Sequence, residues 1–136
     1  MTYPFNGLVI GQAGRATRAL LDRLLDDTTT TFSEWVALVL LADGPIPEDD
    51  LVDRLATRLR VDRIEAEAAV ASLASTGLTS TGVALTADGR VRFQHISDGL
   101  DRITETLYGD LPAEDKETAG RVLAVVTARA EAELAA

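Results

Sequence analysis

Apolar residues recur at helical spacing along almost the whole of this chain. From about Asn6 to Asp26, Ile10, Ala13, Thr17, Leu20 and Leu24 fall at alternating steps of three and four, which puts them on one helical face. Leu21 and Leu25 widen the stripe, and Gly7, Gly11 and Gly14 weaken the early turns. After the polar break Thr28 to Thr31, the run Thr31-Phe32-Ser33-Glu34 reads as a capping box, in which hydroxyl and carboxylate each satisfy a backbone donor. Trp35 to Ala42 continues as a short, nearly all-apolar helix, stopped by Asp43-Gly44-Pro45. Pro47 opens a third helix, with Glu48, Asp49 and Asp50 where the helix dipole favours negative charge and Leu51, Val52, Leu55 and Leu59 as its apolar positions. Asp62-Arg63-Ile64-Glu65 starts a fourth, which runs through Ala66, Ala69, Val70 and Leu73 to near Gly77.

The period then changes. Leu78-Thr79-Ser80 and Val83-Ala84-Leu85 flank Thr81-Gly82 as a minimal β-hairpin. A long fifth helix follows from about Thr86 to Tyr108, with the seam Phe93, Ile96, Leu100, Ile103 and Leu107. Gly109 ends it, and Leu111-Pro112 leads into a sixth helix carrying Val122, Leu123, Val126 and Leu134. A three-helix core closed by a hairpin is the pattern of a winged helix-turn-helix, whose recognition helix precedes the wing. The fold class expected is therefore mainly α, a winged helix-turn-helix domain with a very short β-hairpin wing and long terminal helices. Those terminal helices have too little of their own chain to pack against, which points to a homodimer. The expected organisation is a single domain over 1–136, with a lobe over about 28–92 and dimerisation helices at 1–27 and 93–136.

Composition narrows the chemistry. The 136 residues fit one domain with a modest core. With no cysteine and a single histidine, disulfides, thiol chemistry and a zinc site are not expected, and neither is a cofactor. Regulation by thiol oxidation is likewise not expected. No Ser-His-Asp set, phosphate-cradling glycine loop or paired catalytic carboxylates stand in a defensible frame, so the chain is not expected to be an enzyme. The start, MTYPFNGLVIG, lacks the basic lead and apolar core of a signal peptide. The longest apolar run is eight residues, against about 20 for a membrane span, so a soluble cytoplasmic protein is expected. The formal net charge is −9. That sign opposes nucleic acid at long range.

Five stretches together give the chain a resemblance: Phe32-Ser33-Glu34-Trp35-Val36-Ala37-Leu38, Leu51-Val52-Asp53-Arg54-Leu55, Leu73-Ala74-Ser75-Thr76-Gly77-Leu78, Leu85-Thr86-Ala87-Asp88-Gly89-Arg90 and Leu111-Pro112. The chain resembles the MarR (multiple antibiotic resistance regulator) family over nearly its whole length. The resemblance implies a homodimeric transcription regulator whose terminal helices build the dimer and whose two lobes read a pseudo-palindromic site on double-stranded DNA. It also implies a small phenolic or anionic ligand bound between lobe and dimer base. Two features depart from the family pattern. Thr79 to Ala84 carries no charge, and the positions matching the outward face of the recognition helix hold Glu65, Glu67, Ala68 and Ser72. From Pro47 to Arg92, six arginines meet eight acids.

The candidate DNA contacts are Arg58, Arg60, Arg63, Glu67, Ser72, Arg90 and Arg92. Arg54, Arg58, Arg60 and Arg63 cluster about the third helix, where they can meet phosphates or instead pair with Asp50, Asp53, Asp62 and Glu67 on a solvated face. Trp35 and His95 are candidate ligand-pocket residues, each with a plainer reading as a core ring and an exposed helix side chain. Leu20, Leu24, Leu100, Ile103, Leu107, Leu123 and Val126 are the candidate dimer contacts. The uncharged hairpin is expected mainly to cover the lobe's core. An alternative function remains open: a MarR-like dimer that has lost DNA binding and serves as a protein-interaction or small-ligand module.

Overall fold

In the computed structural model, residues 3–80 and 84–136 are described. Thr81, Gly82 and Val83, where the hairpin tip is expected, lie outside them. The order is α1 (Gly7–Asp26), α2 (Phe32–Leu41), α3 (Glu48–Leu59), α4 (Arg63–Ser75), β1 (Thr79–Ser80), β2 (Ala84–Leu85), α5 (Ala87–Tyr108) and α6 (Ala113–Ala135). This is the mainly α winged helix with a minimal wing that the hydrophobic pattern predicts. The chain divides into two compact units, a larger one reaching to Leu100 and a smaller one, Asp101–Ala136.

The larger unit is built on α2, α3 and α4. Its buried cluster joins Trp35, Ala37, Leu38 and Leu41 from α2, Leu51, Val52 and Leu55 from α3, and Ala66, Ala69, Val70 and Leu73 from α4. Leu25, Ile46, Leu78, Leu85 and Ile96 complete it. Alanines at 37, 66 and 69 present only a methyl group, so the three helices approach closely without leaving a void. The Trp35 ring stacks on Phe93, with centroids 5.5 Å apart, which fixes α5 against α2.

Side-chain caps set where α1, α2 and α4 start, whereas α3 and α6 open on Pro47 and Pro112 without one. The Asn6 side chain accepts from the Val9 N–H, so α1 begins at Gly7 despite its glycines. At α2 the capping box is complete: Thr31 Oγ1 accepts from the Glu34 N–H at 3.1 Å, and Glu34 Oε1 accepts from the Thr31 N–H at 2.9 Å. Asp62 caps α4 through the Glu65 N–H.

The end of α4 explains the glycine-rich punctuation of the sequence. Gly77 adopts φ +79, a left-handed conformation that costs glycine little. Its N–H donates to the Ala74 carbonyl and the Leu78 N–H to the Leu73 carbonyl, the paired bonds of a Schellman motif. Leu78 and Leu73 are both buried beneath this turn. The antiparallel strands then pair Thr79 with Leu85 and Ser80 with Ala84. Leu78 and Leu85 point into the core, as expected of a hairpin that covers it. Thr86 joins wing to helix: its hydroxyl donates to the Gly77 carbonyl at 2.6 Å and accepts from the Gly89 N–H. A Cβ on Gly89 would overlap the Leu78 carbonyl oxygen, so the start of α5 can lie against the end of α4 only with glycine there.

The smaller unit contains the end of α5 and all of α6. No residue of α6 is buried within the single chain. Leu123, Val125, Val126 and Leu134 are all exposed.

The Gly89 contact yields a test. Gly89→Ala forces a methyl group into backbone, and the expected cost is about 1–3 kcal/mol or more of overpacking. A thermal melt should show a clearly lowered midpoint, whereas Gly14→Ala, which meets open space in α1, should not destabilise. Equal stability of Gly89→Ala and the unmodified protein would contradict this packing.

Candidate nucleic-acid interface

Helices α3 and α4 meet through a turn in which Arg60 is left-handed, with φ 55, and the Val61 N–H donates back to the Ala56 carbonyl. This is the helix-turn-helix corner. Ala66, Ala69, Val70 and Leu73 bury one face of α4, which leaves Arg63, Ile64, Glu65, Glu67, Ala68 and Ala71 exposed on the other.

Arg63, at the first turn of α4, sits among three carboxylates. Its Nη2 donates to Asp49 at 3.1 Å, its Nη1 to Asp53, and its Nε pairs with Glu67 at 3.0 Å. The hydrogen bond to Asp53, aided by the charges of Asp53, Glu67 and Asp49, raises the guanidinium above its usual value, so it stays charged. All four side chains are about half exposed or more, so these pairs are screened and contribute little to stability. Their effect on the surface is larger: one cation is offset by three anions. Pairing with Asp53 and Glu67 was one of the readings open in the sequence. Asp49 was missed there, because only the fold brings the first turn of α3 beside the first turn of α4.

Ser72 is half-buried, and its hydroxyl donates to Glu34 Oε2 at 3.1 Å. Glu34 is itself buried, and each of its oxygens accepts one bond: Thr31 N–H on one, Ser72 on the other. The same carboxylate thus caps α2 and ties α4 to it. Sequence reasoning found only the first role, because the second links residues 38 apart.

The remaining arginines differ in their surroundings. Arg92 is half-buried, and its Nη1 donates to the Thr28 carbonyl and to Thr30 Oγ1, both at 3.0 Å, holding the α1–α2 turn against α5. In that turn Thr29 has φ 51, an unfavourable left-handed conformation for a β-branched residue. Arg90 is exposed. Arg54 and Arg58 line a cleft of about 350 Å³ with Val39, Leu40, Pro45 and Ile46.

Among the described residues, Trp35 and His95 each line a cleft. Trp35 lines a cleft of about 270 Å³ with Phe32, Val36, Val39, Arg58 and Leu59. His95 lines another, of about 370 Å³, with Thr28, Thr76, Leu78, Asp88, Val91 and Arg92. The Arg18 guanidinium lies 3.6 Å above the centre of the Phe32 ring. Of the candidate dimer residues, Leu20, Leu24, Leu100, Ile103 and Leu107 are half-buried, and Leu123 and Val126 are exposed. Leu24 packs so closely on Gly99 that a Cβ there would stand 2.6 Å from its Cδ1. Among the described residues no cluster of three or more His, Asp or Glu could hold a metal ion, and no helix is long and apolar enough to cross a membrane.

No protein-family model and no curated protein sequence matches the chain. Solved structures do match. The Mycobacterium tuberculosis MarR family protein Rv2887 in complex with DNA superposes with a TM-score of 0.71 at 20% identity, over 92% of this chain and 98% of that one. The same protein in complex with salicylic acid gives 0.70 at 19% identity, over 91% and 99%. Bordetella bronchiseptica BpsR, whose DNA binding is regulated by 6-hydroxynicotinic acid, gives 0.70 at 20% identity, over 93% and 98%. At these identities the likeness is one of fold: the chain has the winged-helix fold of MarR-family transcriptional regulators from nearly end to end.

The Glu34–Ser72 bond can be tested directly. Ser72→Ala leaves one oxygen of a buried carboxylate without its donor, at an expected cost of about 1–3 kcal/mol. Chemical denaturation should show a lower midpoint with an unchanged slope. Ser75→Ala, on the exposed end of the same helix, is the control and should cost much less.

Proposed function

We propose that this chain is a homodimeric DNA-binding transcription regulator of the MarR type, working in the cytoplasm, responsive to a small ligand and without enzymatic activity. The observation that carries the proposal is the helix-turn-helix of α3 and α4, closed by a wing and presenting one whole face of α4 to solvent. The likeness to regulators that include a DNA complex supports it. Arg58, Arg60, Arg63 and Arg90 are the cations assigned to phosphates. Arg92 is assigned to holding the α1–α2 turn, because its guanidinium already donates there. The ligand is assigned to the cleft beside Trp35, where apolar walls and the Arg58 guanidinium suit an aromatic carboxylate.

A second reading has its own support. Arg63 lies among three carboxylates, and the span from Pro47 to Arg92 is net acidic, with six arginines against eight acids. Both features fit a dimer of this fold that has given up DNA for a protein or small-molecule partner. Selection of genomic fragments by the purified protein at low and moderate salt separates the readings. Enrichment of one palindrome establishes the first, and its absence the second.

Within the first reading, two substitutions should move affinity in opposite directions. Arg63→Ala removes a cation and leaves three carboxylates uncompensated. Asp53→Asn removes an anion from the same cluster. Measured by fluorescence anisotropy on the selected duplex, the first should weaken binding and the second strengthen it, each by about tenfold for about 1.4 kcal/mol. The opposite order would place the DNA on another face.

The dimer is assigned to the terminal helices, because α6 exposes Leu123, Val125 and Val126 and buries nothing within one chain. Light scattering at micromolar concentration should return twice the chain mass. Leu123→Glu combined with Val126→Glu should give monomers or unfolded chains. A stable, folded monomer of the unmodified protein would reject the assignment.

A further inference from the structure

The exposed face of α4 is unusual for what it lacks. Arg63 is engaged by Asp49, Asp53 and Glu67, and the Ser72 hydroxyl is donated to the buried Glu34. Between them stand Ile64, Glu65, Ala68 and Ala71. Ile64 is 79% exposed in the first turn, although a folded lobe gains nothing by leaving so large an apolar side chain in water. Among the described residues the Glu65 carboxylate has no partner. The central part of this face therefore offers methyl groups and an acceptor, and no free side-chain donor.

Base edges in the major groove discriminate by the same chemistry. Guanine shows two acceptors, N7 and O6, which only a donor such as arginine can read. Cytosine shows the N4 amino donor, which a carboxylate accepts, and thymine shows a methyl group that apolar side chains contact. The geometry points to a recognition helix that reads pyrimidines: Glu65 accepts from a cytosine amino group, and Ile64 with Ala68 packs on an adjacent thymine methyl. This inference rests on the proposed DNA-binding function and adds to it which bases the operator carries and which residues select them. The acidity of the face has a place in the scheme. A carboxylate repels phosphates wherever the base contact is missing, so non-specific affinity falls while the specific contact is kept.

The test is selection from a randomised duplex library with the unmodified protein, Glu65→Gln and Ile64→Ala. Both side chains are exposed, and a thermal melt confirms that each variant is folded. The unmodified protein should enrich half-sites with a fixed cytosine beside a fixed thymine. Glu65→Gln should lose the cytosine preference by about tenfold. It should gain adenine at that position, since an amide reads adenine N6 and N7 together, and it should bind unrelated DNA more tightly. Ile64→Ala should relax the neighbouring thymine and leave the cytosine fixed. A palindrome enriched by all three proteins with the same base preferences overturns this inference and leaves the DNA-binding function standing. No enriched sequence with the unmodified protein overturns both.

Discussion

The buried carboxylate of Glu34 is the constraint on which the rest of the lobe depends. One oxygen closes the capping box that starts α2, and the other receives the Ser72 hydroxyl from the last turn of α4. A buried carboxylate is costly unless its oxygens are bonded, and here both are. Because the two donors come from different helices, the carboxylate is satisfied only when α4 sits at one rotation and one height against α2. Burial of Ala66, Ala69, Val70 and Leu73 turns that face of α4 inward, and the Glu34–Ser72 bond fixes it there, leaving Ile64, Glu65 and Ala68 facing out. The chemistry of the exposed face thus follows from a contact on the buried one.

Charge is the second constraint, and it separates this chain from a generic DNA-binding lobe. Non-specific DNA affinity comes mainly from cations that neutralise phosphates. Here the cation at the start of α4 is compensated by its own neighbours, and Arg92 is drawn inward to the α1–α2 turn. What remains for discrimination is the shape and hydrogen-bonding sense of a few side chains. On the proposed DNA-binding function, a surface of this kind would hold few DNA sequences well and most of them poorly.

Much of the fold was legible because its signals are local. Thr31 with Glu34 announced a capping box, Asp62 a second cap, and Gly77 with Thr86 and Gly89 the passage from α4 through the wing to α5. The reason for Gly89 was not legible, because its neighbour is the Leu78 carbonyl across the hairpin. The site was read less well for the same reason. Arg63, Ser72 and Arg92 were all picked out as polar residues near a DNA face, but their partners Asp49, Glu34 and Thr30 lie far away in sequence. Trp35 and His95 are both pocket candidates from the sequence, and each lines a cleft among the described residues. A hydrophobic period tells which face of a helix is buried. It does not tell which polar residue on the other face is already spoken for.

The central proposal is that α4, held by Glu34, is the surface that meets the bases. Amide chemical shifts of isotope-labelled protein, followed by NMR as an operator duplex is added, address it most directly. The account predicts that the largest changes fall on Arg58, Arg60, Arg63–Ala71 and Arg90, with Phe32, Trp35 and Val36 little affected. Changes confined to the Trp35 or His95 clefts or to α6, with α4 undisturbed at saturation, would contradict it.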